Sequence, residues 1–279
     1  MKADIERFLE HLRVERQSAR NTISAYRTDL LQFERVLAGQ PGGSQPLTQQ
    51  AVAGYAAWLK GKDYTASTVA RKMVAVRSYL GFLGVEQAPG SAELISQLQP
   101  PPTPRKPPRV LSPEQFERLR SAPAALMNPR GQRDTAVLDL LYTTGMRASE
   151  ITELDLEHLD LELGRIRVPG ARDLSLPLGA ARSSIRSYLE SGRPQLVRQI
   201  SERALFVNLR GKRLSRQGLW LVVKRWAQMA GLDEHVSPHS LRHSMAHLWL
   251  SQGKSRRELQ RTLGLSSPSA IRVRSKPRL

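Results

Sequence analysis

The chain has 279 residues, room for one large or two ordinary domains, and 43 Lys and Arg against 25 Asp and Glu give a formal net charge of +18. That charge implies a polyanionic partner, most simply nucleic acid, although a basic surface fits ribosomal, RNA-binding and membrane-surface proteins nearly as well. The lack of cysteine excludes disulfides, thiolate zinc sites and cysteine nucleophiles; no apolar run approaches transmembrane length and the charged start Met1–Arg7 is no signal peptide, so a soluble cytoplasmic protein is expected.

The first hundred residues read as helices. Ile5, Phe8, Leu9 and Leu12 follow i, i+3, i+4, i+7 spacing. Ile23, Tyr26, Leu30, Phe33 and Leu37 make a second apolar stripe ending near Gly39. Thr48 opens a third segment with Val52, Tyr55 and Leu59, and Ser67 opens a fourth through Val69, Val76, Leu80 and Leu83. Four such stripes predict a helical bundle over residues 1–98 with the aromatics in its core. Arg20, Arg27, Arg71, Lys72 and Arg77 fall near helix starts or outer faces, where a solvated face is the ordinary reading and DNA contact the alternative.

Gln99–Arg109 has six prolines in eleven residues, so it cannot continue a helix and forms an extended spacer between residues 1–98 and 110–279. Its basic residues, Arg105 and Lys106 among them, suit either a solubilised linker or a strand laid along phosphates.

Beyond the linker, Ser112-Pro113-Glu114-Gln115 reads as a capping box. A helix around Thr135–Thr144 ends at Gly145, a left-handed C-cap. Six acids between Glu150 and Glu162 mark a surface facing away from a polyanion. Gly164–Val168 and Leu174–Leu178 alternate as two strands around a turn at Gly170, and Ala204–Val207 is a further short strand. Ser215 caps a helix running to Gly231; Ser237 and Ser255 open two more, closed by Gly253 and Gly264. The second half is thus mainly helix with a small sheet. Charge is uneven along the chain. Residues 1–98 hold 12 basic and 9 acidic groups, net +3, whereas residues 198–279 hold 17 and 4, net +13.

Two short motifs carry the chemistry. In Ser237-Pro238-His239-Ser240-Leu241-Arg242-His243 a capping serine and a proline at the first helical position start a helix that puts His239 and Arg242 on one face, within reach of one phosphate. In Thr144-Gly145-Met146-Arg147-Ala148-Ser149-Glu150 an arginine stands at a helix start, unfavourable for the helix dipole unless an anion offsets it.

Together these motifs resemble the tyrosine recombinase (phage integrase, Xer-like) family, and the resemblance spans nearly the whole chain. It implies an N-terminal helical bundle (a SAM-like core-binding domain), a linker, and an α+β catalytic-type domain, clamped around duplex DNA. It also implies metal-free phosphoryl transfer without a cofactor, in which a tyrosine attacks and two arginines and a histidine stabilise the phosphate. Arg147, Arg242 and His239 match those arginines and that histidine. Arg172, Lys212, Arg213 and Arg216 join the residues named above as expected DNA contacts.

Three departures stand against the pattern. The general-acid lysine of the strand turn is replaced at Ala171, and Arg172, the nearest substitute, gives up a proton poorly. The Leu-Gly-His of the family reads Leu263-Gly264-Leu265. The position of the nucleophile holds Arg274, with only Ser266, Ser267, Ser269 and Ser275 as nearby hydroxyls; the last tyrosine is Tyr188. The stretch Ile271–Leu279 is also short for the helix with which family members grip a neighbour. The expectation is a DNA-binding protein of recombination and integration that is deficient in strand cleavage, an inactive relative that competes with or assists an intact tyrosine recombinase. Three other readings stay open: an active subunit in a mixed assembly whose partner supplies the tyrosine, a basic RNA-associated protein, and the product of a decayed gene. The low aromatic content, 5%, mostly at core spacing, weighs against RNA stacking.

Overall fold

The computed structural model describes residues 1–39, 48–84, 98–102, 109–170, 174–233 and 235–263. The chain divides into two compact units, Met1–Lys106 and Pro107–Leu279.

The first unit is helical: α1 (Lys2–Val14), α2 (Arg20–Ala38), α3 (Gln49–Lys60) and α4 (Ala66–Phe82). Their stripes meet in one core that includes Ile5, Phe8, Leu30, Phe33, Val52, Tyr55, Leu59, Met73 and Leu80. Each such side chain contributes roughly 1.5–3 kcal/mol by leaving water. Thr48 caps α3 as its sequence predicts, its side chain accepting from Ala51 N. The cap of α4 is Thr65 rather than Ser67: the Thr65 hydroxyl accepts from Thr68 N, and the helix starts one residue later. Two hydroxyls lie two residues apart there, and the earlier one takes the role.

The second unit follows the predicted order. Ser112 and Gln115 form the capping box of α5 (Pro113–Ala124). Asn128 caps α6 (Pro129–Thr144), which runs through the middle of the core with Ala136, Val137, Leu138, Leu140 and Leu141 fully buried. A short α7 (Ala148–Thr152) leads to a three-stranded antiparallel sheet in the order β1 (Leu159–Asp160), β2 (Arg165–Arg167), β3 (Ser175–Pro177). Ile166 pairs with Leu176, and both sit in the core, as period-two alternation requires. Gly170 sits in the left-handed region (φ 74°) after β2.

The chain continues through α8 (Ala181–Ser187), a π-helical turn at Tyr188–Gly192 and α9 (Arg193–Leu196). Ala204–Val207 does not form the expected strand. Its four residues are buried, but they make only isolated bridges, Asp155 to Ala204 and Val207 to Arg213. Three helices follow: α10 (Arg216–Met229), capped by Ser215, α11 (Pro238–Ser251), capped by Ser237, and α12 (Arg256–Leu263). Trp226 anchors α10 in the core, where its indole N–H donates to the buried Asp134 carboxylate at 2.8 Å. Among the described residues no helix is long and apolar enough to cross a membrane.

Candidate functional site

Helix α6 stops because Gly145 turns left-handed (φ 63°) while its N–H still reaches Leu141 O at 3.0 Å. Space as well as backbone demands glycine here. A Cβ would fall on the Met245 side chain of α11 and lie 2.9 Å from Leu263 Cδ2 of α12. Two residues on, Arg147 is the N-cap of α7. Its backbone N–H donates to Glu150 Oε2 and its Nη1 to Oε1, both at 2.6 Å. Glu150 therefore offsets the unfavourable placing of a cation at a helix start and orients the guanidinium, which stays 45% exposed.

The second motif forms as its cap predicts. Ser237 N donates to Ser240 Oγ (3.2 Å) and Ser240 N to Ser237 Oγ (3.4 Å), with Pro238 at the first position of α11. This fixes His239 in the first turn, exposed, and Arg242 one turn on, buried. The Arg242 guanidinium donates from Nη1 to Gly145 O and from Nη2 to Leu263 O (2.6 Å). One side chain thereby joins the end of α6, the start of α11 and the end of α12.

The electrostatics follow from that placing. Burial, then the charge of Arg147, lowers Arg242 to about 10, and Glu150 only partly opposes them. Partial burial of its ring, then the charges of Arg242 and Arg147, lowers His239. His243, whose ring meets that of His239 edge to face with centroids 4.7 Å apart, is lowered by burial and by His239 and Arg242. Arg147, His239 and Arg242 thus feel one another's charge. Such a group favours an anion, and guanidinium N–H donors beside an imidazole suit the several oxygens of a phosphate.

The other expected contacts are placed unevenly. Lys72 is not on an outer face: it is buried, with Nζ bonded to Asp29 Oδ1 (2.9 Å) and Gln32 Oε1 (2.6 Å). Arg71 pairs with the same Asp29, and Arg27 with Glu6. Arg213 is tied to Asp155 and to the carbonyls of Thr152 (3.0 Å) and Leu154 (3.1 Å), a brace beneath α7. Arg77, Lys212 and Arg216 are exposed, and Arg20 begins α2. Arg105, Lys106, Ala171, Arg172, Leu265 and Arg274 lie outside the described residues. Sequence reasoning passed over Glu150, although its place three residues after a helix cap is the capping-box signal. It also passed over the carbonyl of Gly145 as a partner for Arg242, which no local pattern announces.

A helical N-terminal unit and a mixed unit that gathers Arg147, His239 and Arg242 define the class, and the chain belongs to the phage integrase family of tyrosine recombinases. That family matches residues 109–273, and the N-terminal SAM-like domain of phage integrases matches residues 5–87. Among curated proteins the chain is 38% identical over 277 residues to the tyrosine recombinase XerC of Herpetosiphon aurantiacus, covering 98% of this chain and 90% of that one. It is 36% identical over 279 residues to the tyrosine recombinase XerD of Xanthomonas axonopodis pv. citri, covering 96% and 91%. Solved structures share the fold at lower identity. The integrase of transposon Tn1549 in complex with transposon right end DNA aligns with a TM-score of 0.71 at 17% identity, over 96% of this chain and 93% of that one. The XerH site-specific recombinase bound to a palindromic difH substrate aligns at 0.68 and 20% identity, over 92% and 76%.

Proposed function

We propose that this chain is a duplex-DNA-binding protein of the recombinase type that holds a phosphodiester between Arg147, His239 and Arg242 and does not cut it by the tyrosine route. The observation that carries the DNA reading is the placing of Arg242 against the Gly145 carbonyl, two residues from Arg147, with His239 in the first turn of the same helix as Arg242; burial, then the charge of Arg147, lowers Arg242 to about 10. The net charge of +13 over residues 198–279 supports it, and so do the DNA-bound relatives, since affinity for a duplex comes largely from phosphate contacts.

The lack of cleavage rests on three substitutions and one buried phenol. Ala171, Leu265 and Arg274 stand where the family has its lysine, a histidine and its tyrosine. Tyr188, the last tyrosine, is fully buried and stacked on Phe206, and its oxygen accepts from Val207 N at 3.3 Å. Burial also raises its pKa, so a nucleophilic phenolate there is disfavoured twice. Loss of the general acid alone costs about 10²–10⁴ in rate, while loss of the nucleophile removes the covalent path altogether.

A nicked suicide duplex that traps phosphotyrosine tests the reading. The purified chain should shift the duplex in a salt-sensitive manner and leave no covalent adduct. Arg274→Tyr alone should give at most trace cleavage, and more should follow when Ala171→Lys and Leu265→His are added. A covalent complex formed by the unaltered chain would overturn the inert reading, and salt-independent or absent binding to the duplex would overturn the DNA reading.

A further inference from the structure

Histidine is sparse in this chain, six in 279 residues, yet three of the six, His239, His243 and His247, follow at intervals of four along α11. Residues four apart on a helix share a face with their Cβ atoms roughly 5–6 Å apart. The rings of the first two already touch, with centroids 4.7 Å apart and planes at 86°. His239 and His247 are exposed and His243 is half-buried, so the rings at the rim are open to a solute from water. The phosphate reading uses His239 only. It leaves His243, and its contact with His239, without a task.

We propose that His239 and His243 together form a binding site for one divalent transition-metal ion of the imidazole-preferring kind, nickel, copper or zinc. Imidazole nitrogens suit these ions, and two histidines four apart on one helix face are a recurring way of presenting a pair of them. Metal–imidazole bonds of about 2.0–2.1 Å need the two ligating nitrogens roughly 3 Å apart. The rings start in contact, with centroids 4.7 Å apart, and the proposed bite asks for a turn of the exposed His239 ring. The cations Arg147 and Arg242 oppose a further positive charge here. They place the site among weak, exchangeable ones and leave its outer coordination positions to water or to an anion. The inference does not depend on DNA binding, since it uses only the two rings and their spacing.

Nickel chloride titrated into the untagged full-length chain, followed by calorimetry, reads the site directly, and copper(II) electron paramagnetic resonance reads its ligands. One nickel ion per chain is expected, with coupling of copper to two nitrogens. His239→Asn and His243→Asn should each weaken nickel binding by about tenfold or more, because one ring alone forfeits the effective concentration that the pair provides. His247→Asn and His158→Asn should leave it unchanged. The second control matters because Asp155, Glu157 and His158 bring ligand atoms within 4.8 Å of one another and are a rival site among the described residues. Loss of binding in His158→Asn would overturn the proposal. Loss confined to His243→Asn and His247→Asn would overturn it too, by moving the ion one turn away from His239. If either asparagine variant fails to fold, copper resonance on the unaltered chain still decides, since a spectrum without coupling to two nitrogens sinks the pair.

Discussion

In the N-terminal unit the buried ammonium of Lys72 lies against the carboxylate of Asp29 and the amide oxygen of Gln32, whereas in the C-terminal unit the buried guanidinium of Arg242 lies against the carbonyls of Gly145 and Leu263. Both satisfy hydrogen-bond donors. Only the first meets a full opposite charge, for a carbonyl is a dipole and leaves most of a cation's charge in place. Asp29 is further shared with Arg71, so that cluster is closed upon itself. Arg242 instead is driven down to about 10 by burial first and then by the charge of Arg147, which Glu150 only partly opposes. A basic residue whose charge is already answered holds the fold together, and one whose charge is left over is free to attract an anion. Composition counts the two alike.

The sharpest way to break this contrast is to remove the acid from the closed cluster. Asp29→Ala leaves Lys72 buried without its carboxylate and should lower stability to urea by about 3–5 kcal/mol. A loss under about 1 kcal/mol would class the cluster with exposed ion pairs. The next effect belongs to the open site. Arg147→Ala and Arg242→Ala should each weaken duplex binding by about 1–3 kcal/mol through loss of charge-assisted bonds to phosphate, read by fluorescence anisotropy at fixed salt. Equal affinity in both variants and the unaltered chain would remove the site from the interface.

A smaller effect comes from acid. His239 and His243 titrate lower in the folded chain than the roughly 6.5 of a free imidazole. The unfolded chain therefore takes up more protons on acidification, and stability rises with pH. Their contribution is fully present above about pH 6.5 and is lost as pH falls through the lower folded values, so the melting temperature should drop between pH 7.5 and 5. A flat profile, or one that drops less in the unaltered chain than in His243→Asn, would contradict it. The smallest change is expected at the exposed Lys212, where Ala should reduce the slope of binding against salt by about one ion and leave sequence preference alone.

What could be read from the sequence follows the range of each interaction. Caps and turns act over three or four residues, so the starts of α5 and α11, the end of α6 at Gly145 and the antiparallel pair β2–β3 were legible, and with them the places of Arg147, His239 and Arg242 at the starts of their helices. The burial of Lys72 was not. Its partners lie 43 and 40 residues upstream on α2, and from α4 alone it counts as one more surface lysine. Ala204–Val207 misled for the opposite reason. Its composition suits a strand, but Asp155 and Arg213 each offer it a single bridge, so the ladder never extends. The π-helical turn at Tyr188–Gly192 ends at Gly192, where a Cβ would lie 2.7 Å from Gln132 Oε1, a long-range neighbour that the local sequence does not reveal.

The bond from Arg242 to the carbonyl of Gly145 also sets how accurately the two arginines can be spaced. Ninety-five positions of chain separate Arg147 from Arg242, and small errors in every intervening helix and strand would accumulate if the gap were measured along that path. The mechanical path is far shorter, two residues from Arg147 back to Gly145 and then one hydrogen bond across to Arg242. The gauge of the site is thereby cut loose from the dimensions of the sheet and of α8, α9 and α10. Insertions or repacking in those parts can be absorbed without widening the gap, while a single methyl group at position 145 would disturb both ends of the gauge at once.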